Sequence, residues 1–269
     1  MGRDVLGTKE TITKLKRADL VKYLSKFYHP ANQVVTVAGN CYSGEVFELA
    51  KKYFSKAKTE KLEKFAPVKD SQEKPQVKIF YKKTDQAHLC LGVRAYPFTN
   101  PRRFPMAILD TILGGGMSSR LFIEVRERRA LAYYVFSANF RYSDCGNFFA
   151  QAGVDLKRIS EAVKVILTEF AKLGEKKVTG AELKKAKDYI KGRLALAHED
   201  SRTVAFSYGL SQVLEDRVWT DEEIIAEVEK VTADEVQALA KDLFKTEKLN
   251  LALIGPFKDE AKFAKLLKF

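Results

Sequence analysis

Cysteine is scarce: Cys41, Cys90 and Cys145 are the only three in 269 residues, far apart and odd in number. That excludes a disulfide scaffold, and no two stand at metal or redox spacing. A reducing compartment, read as the cytoplasm, and buried, inert thiols are the expectation. Histidine is as sparse. His29, His88 and His198 never pair at helical spacing, so the H-x-x-E-H zinc signature is missing. No apolar run nears the ~18 residues of a membrane-spanning helix, and the opening MGRDVLGTKE lacks the apolar centre of a signal peptide. Gly2 is not followed by the Ser or Thr of a myristoylation site. The run Gly114, Gly115, Gly116 is not followed by Gly-Lys-Ser/Thr, so it is no phosphate loop, and no G-x-S-x-G nucleophile context exists.

The charge is lopsided, with 47 Lys and Arg against 35 Asp and Glu, a net of +12. Polyanion binding is one reading. The lysines, however, are interleaved with acids, as in KTEKLEKFAPVKDSQEK, and form no stripe with stacking aromatics. They read as solvated helix faces, with no nucleic-acid and no membrane partner. A basic surface also attracts acidic peptides.

Periodicity orders the chain. Thr11 to Tyr28 reads as a helix closed by His29-Pro30. Val34 to Ala38 reads as a strand, and Ser43 to Ala57 as a helix with Val46, Phe47, Leu49, Ala50 and Phe54 inward. Strands are expected at 76–82, 88–95, 132–142, 146–154 and 249–254. Helices are expected at 106–113, 117–131, 156–173, 181–197, 201–214, 221–228, 236–244 and 260–267. Thr179 with Glu182 and Thr232 with Glu235 have capping-box spacing. Ser118 and Ser119 read as helix caps rather than nucleophiles. His198-Glu199-Asp200 reads as a solvated helix end, and His29 and His88 as structural.

The chain repeats itself. LKRADLVKYLSKFYHPANQVVTVAGN matches VTADEVQALAKDLFKTEKLNLALIG: Ala-Asp, apolar helix, β-run, Gly, helix. The first copy opens the chain, and the second closes a complete module. Three segments follow: 1–57, the end of one half; 58–75, a charged linker carrying Pro67; and 76–269, a whole second half.

The most informative stretch is LGGGMSSRLFIEVRERRALAYYVFSANFRY, from Leu113 to Tyr142. Three glycines mark a bend or a close approach and a flexible loop. An amphipathic helix and an aromatic strand follow. Arg126 near the helix end and Tyr133 at the strand start could together hold a carboxylate or a peptide carbonyl. The plain alternative is an ordinary helix Arg and a strand Tyr.

This stretch resembles the hallmark of the second half of pitrilysin/insulinase-type zinc metallopeptidases, including bacterial processing-peptidase-like members. VLGTKETITKLKRADLVKYLSKFYHPANQVVTVAGN is similar to the end of that family's first half. The resemblance implies two homologous halves of mixed helix and strand, closing like a clamshell on an extended peptide. For this chain it implies an α+β fold, an antiparallel-rich sheet packed with helices. It implies that Arg126 and Tyr133 bind substrate backbone. It also implies that zinc, its two His, its distal Glu and the water-activating Glu belong to a first half not represented here. The expectation is then a substrate-binding half with no catalytic residue, metal or cofactor of its own, inactive without a zinc-bearing half or subunit. The alternative is an inert structural subunit of a homo- or heterodimer or of a respiratory-complex-like assembly.

Overall fold

A computed structural model describes residues 4–55 and 65–269, in two compact units. The smaller holds the described residues up to 69 together with 197–219, and the larger holds 70–196 and 220–269. Of the expected linker, residues 58–64 lie outside the described residues, and 65–75 form neither helix nor strand.

In the smaller unit the helix expected over 11–28 is two, α1 (Lys9–Lys14) and α2 (Arg17–Phe27). Asp19 accepts from the Lys16 backbone N–H and so restarts the helix. α3 spans Ser43–Phe54, and α7, Ser201–Glu215, is capped by Asp200. The strand expected at Val34 to Ala38 does not form. The segment is extended but has no ladder partner among the described residues, and a strand exists only through its neighbours. Gly209 in α7 lets Thr36 come close: a Cβ there would lie 3.0 Å from its hydroxyl. Phe47, Leu49 and Phe54 of α3, expected inward, are exposed. Cys41 is exposed, and Cys90 and Cys145 are half-buried, so the expectation of buried thiols fails; none is in a disulfide.

The larger unit carries one five-stranded sheet. Its strands are β1 (Gln76–Tyr81), β2 (Gln86–Ala95), β3 (Ala132–Arg141), β4 (Gly146–Asp155) and β5 (Leu249–Gly255), in spatial order β1-β5-β2-β4-β3. Only β1 and β5 pair in parallel; the other ladders are antiparallel, as expected. Period-two alternation sets the faces. Ala87, Leu89, Leu91 and Val93 of β2, and Phe148, Ala150, Ala152 and Val154 of β4, are buried on one side. Against that side lie α4 (Arg103–Gly114), α5 (Ile159–Glu175) and α9 (Ala233–Leu243). Phe170 stacks on Phe244 at 4.5 Å, with Phe148 alongside. The remaining helices are α6 (Gly180–Ala197), α8 (Asp221–Lys230) and α10 (Glu260–Ala264). Both expected capping boxes form, at Thr179–Glu182 and Thr232–Glu235. A third, Thr220–Glu223, opens α8.

The two copies of the repeat end up in opposite environments. With Asp19 set against Asp234, Val21 and Leu24 correspond to Val236 and Leu239. The later pair is 0% and 3% exposed, inside the core; the earlier pair is 47% and 54% exposed. α1, α2 and α3 contain no buried residue.

Candidate functional site

α4 runs into the glycines. Gly114 closes its last turn against β3, where a Cβ would lie 2.2 Å from the Ser137 backbone N. Gly115 is similarly confined by Thr111, at 2.7 Å. Neither has a positive φ. Both therefore permit close approach, not an unusual turn. Beneath them the Ser137 hydroxyl donates to the Asp110 carboxylate and, at 3.1 Å, to the Asp110 carbonyl. Burial pushes Asp110 up to about 6, opposed by that hydrogen bond.

The single α-helix expected over 117–131 is replaced by a turn and a helical segment, of which Phe122–Glu127 is a π-helix. Arg128 N bonds to Ile123 O, the i→i+5 pattern. Ser119 does not cap this segment with its side chain; its hydroxyl is buried with no partner. Leu121 and Val125 anchor the segment in the core. Ala130, at φ 49, turns the chain out, and Leu131 N closes onto Val125 O at 2.8 Å.

Arg126 projects from this π-helix, its guanidinium 4.8 Å from the Phe122 ring. The nearby acid Glu124 is taken by Arg128, at 2.5 Å, and by Arg129, whose hydrogen bond is the main cause holding Glu124 below the usual carboxylate range. Among the described residues Arg126 has no carboxylate partner. Tyr133 follows at the start of β3, on the sheet's edge. Ala132 pairs with Val154 and Tyr134 with Gly153, so Tyr133 is the extra residue of a β-bulge. Such a bulge re-aims a side chain. Tyr133 is 76% exposed, and its hydroxyl has no partner among the described residues.

The next residue does what its sequence context did not announce. Tyr134 lies over Gly153, where a Cβ would sit 2.5 Å from its ring. Its hydroxyl meets His88 Nδ1 at 3.0 Å and lies 3.5 Å from Gln151 Nε2. This cluster occupies the sheet face opposite the core. Only the cross-strand register brings these three together. Burial pushes the neighbouring Cys90 thiol up to about 11.

Among the described residues no group of three or more His, Cys, Asp or Glu could hold a metal ion, so the side chains present do not fit a zinc site. No described helix is long and apolar enough to cross a membrane.

Comparisons with known proteins agree with this arrangement. Residues 14–190 match the peptidase M16 inactive domain. An uncharacterized zinc protease of Streptomyces coelicolor is 33% identical over 97% of this chain and 58% of its own length. One from Bacillus subtilis is 34% identical over 95% and 62%. The chain thus spans about three-fifths of these relatives. In fold, it is similar to a Helicobacter pylori protease (TM-score 0.84, 24% identity, 93% of this chain and 61% of that one). It is equally similar to a peptidase M16 inactive domain from Pseudomonas fluorescens (0.84, 21%, 94% and 60%). The chain belongs to the peptidase M16 family and carries that family's inactive domain.

Proposed function

We propose that this chain is the substrate-binding half of a zinc-dependent endopeptidase acting on peptides or small proteins. The observation that carries the reading is the pair of uncommitted polar heads on one working edge, Arg126 on the π-helix and Tyr133 at the bulge. A guanidinium and a phenol donate to carbonyl oxygens, so both suit an extended peptide backbone. The glycine turn between α4 and the π-helix serves as the flexible element that yields as substrate is enclosed.

The partner in this reading is a zinc-bearing half or subunit. The exposed apolar positions of α2 and α3, and the unpaired extended segment 34–38, support it. They are what a chain presents when part of its core is supplied elsewhere. Three free thiols suit the cytoplasm.

The test is reconstitution. The purified chain should bind no stoichiometric zinc and cleave no peptide. Adding a zinc-bearing first half, in trans or fused, should restore cleavage. Arg126→Ala and Tyr133→Phe should then each lower kcat/KM roughly 10- to 100-fold, the worth of a hydrogen bond involving charge or a buried polar group. Chelator-sensitive cleavage by the chain alone would overturn the reading.

A second reading is an inert partner subunit. It draws on a likeness to a chain of Complex III2 from Candida albicans, which covers 99% of this chain at 17% identity. A co-purifying zinc-bearing chain favours the peptidase; co-purification with membrane-complex subunits alone favours the inert role.

A further inference from the structure

On the helical side of the larger unit, the glycine turn and α6 enclose a cavity of about 640 Å³. That volume lies within the range of small-molecule sites. Its walls are mostly apolar. Ile112 and Ala186 are buried in its lining, Ile123 comes from the π-helix, and Met117 and Tyr189 stand exposed beside it. Methionine at such a position adapts to varied shapes at little cost. Tyr189 donates to the Gly115 carbonyl at 2.7 Å, leaving its ring as lining.

The polar groups in the lining are committed, with one exception. Arg120 meets Glu182 through two hydrogen bonds, at 2.9 and 3.2 Å, and Glu182 also accepts from the Thr179 backbone and hydroxyl. That pair cancels its own charge. Lys185 has no carboxylate partner among the described residues. Its ammonium makes one long contact, 3.4 Å to the Ser118 carbonyl. Releasing so long a contact costs little. Within the same lining, the backbone N–H groups of Gly116, Met117 and Ser118 donate to no backbone carbonyl among the described residues.

We propose that this cavity binds a monocarboxylate with an apolar body, its carboxylate on Lys185 and its apolar part against Ile112, Ile123 and Tyr189. Two sources share that chemistry: the free C-terminus of a peptide ending in an apolar residue, and a free small acid. One cavity wall is the turn that leads into the π-helix bearing Arg126, so an occupant would brace the turn behind the proposed peptide grip. The site itself does not depend on that grip, since neither Arg126 nor Tyr133 lines it.

Calorimetric titration of the full chain tests this without a zinc-bearing partner. The probes are N-acetylphenylalanine, a pentapeptide ending in phenylalanine, and the C-terminal amide of each. Both acids should bind saturably, and each amide roughly tenfold more weakly, the worth of one charge-assisted hydrogen bond. Lys185→Gln, at an exposed position, should erase the preference for acid over amide. Gly116→Leu should abolish binding of all four probes. A Cβ at Gly116 would meet only Tyr189, at 3.7 Å, and the residue lacks a positive φ, so the longer side chain can enter the cavity without backbone strain. Its thermal unfolding should match that of the parent chain. Tighter binding of the pentapeptide identifies a chain terminus as the source, and equal binding a free acid. Acid and amide binding alike, a preference that survives Lys185→Gln, or no saturable binding of any probe would each overturn the proposal.

Discussion

Asp110 is the residue whose environment costs the most. Its carboxyl is buried between α4 and β3, with the Ser137 hydroxyl as its side-chain partner. Its folded-state value, about 6, lies above the ordinary 3.8. The fold therefore prefers the protonated acid. Its contribution is most favourable below pH ~4 and is lost as pH rises toward 6, with a penalty of about 3 kcal/mol above that. Asp110→Asn keeps an acceptor for Ser137 and removes the charge. It should raise the unfolding midpoint at pH 7.5 and change it little at pH 4, measured by thermal melts across that interval. Tyr133 and Tyr134 show the same dependence of role on place. They are adjacent and chemically identical. The bulge leaves one hydroxyl exposed and uncommitted, while register hands the other to His88.

At the scale of elements, the three glycines part company. Gly114 and Gly115 are required by contact, because the Ser137 backbone and Thr111 occupy the space a methyl group would need. Gly116 is not. Gly114→Ala should destabilise the larger unit by about 1–3 kcal/mol, the usual cost of overpacking a tight contact. Gly116→Ala should be neutral or stabilising by up to ~1 kcal/mol, through the unfolded chain. Denaturant titration of the two variants distinguishes these outcomes; equal effects would mean that the run acts by flexibility alone. The helices were largely legible in sequence. α5, α8 and α9 follow their apolar periodicity, and their boundaries fall near Thr-x-x-Glu boxes or charged turns. The π-helix was not legible. An amphipathic pattern at a period of 3.6 does not reveal one inserted residue when Leu121 and Val125 still reach the core.

At the scale of the whole molecule, the internal repeat carries the organisation. One copy is completed by a sheet and by α5; the other exposes the same positions. Such a surface should associate. Sedimentation of the isolated chain should show self-association rising with concentration. Leu24→Lys with Val35→Lys should weaken it roughly tenfold or more, given about 1.5–3 kcal/mol per buried apolar side chain. The unfolding of the larger unit should not change. A strictly monomeric chain over the whole concentration range would argue against an unfinished interface. The net charge of +12 has a simpler whole-molecule meaning. Many of its lysines sit in i,i+3 or i,i+4 pairs with acids along helices, such as Lys184 and Lys191 with Asp188.

The sequence by itself determined what is local or periodic: the helical faces, the capping boxes, the repeat and the placement of Arg126 seven residues before Tyr133. These depend on neighbours within a turn or a strand. Only the tertiary structure decided that Tyr133 sits on a bulge, that His88 belongs to Tyr134, that Gly114 is a contact, and that Val34 to Ala38 lacks a ladder. Each depends on pairing between segments far apart in the chain, and no local pattern specifies the register or the partner.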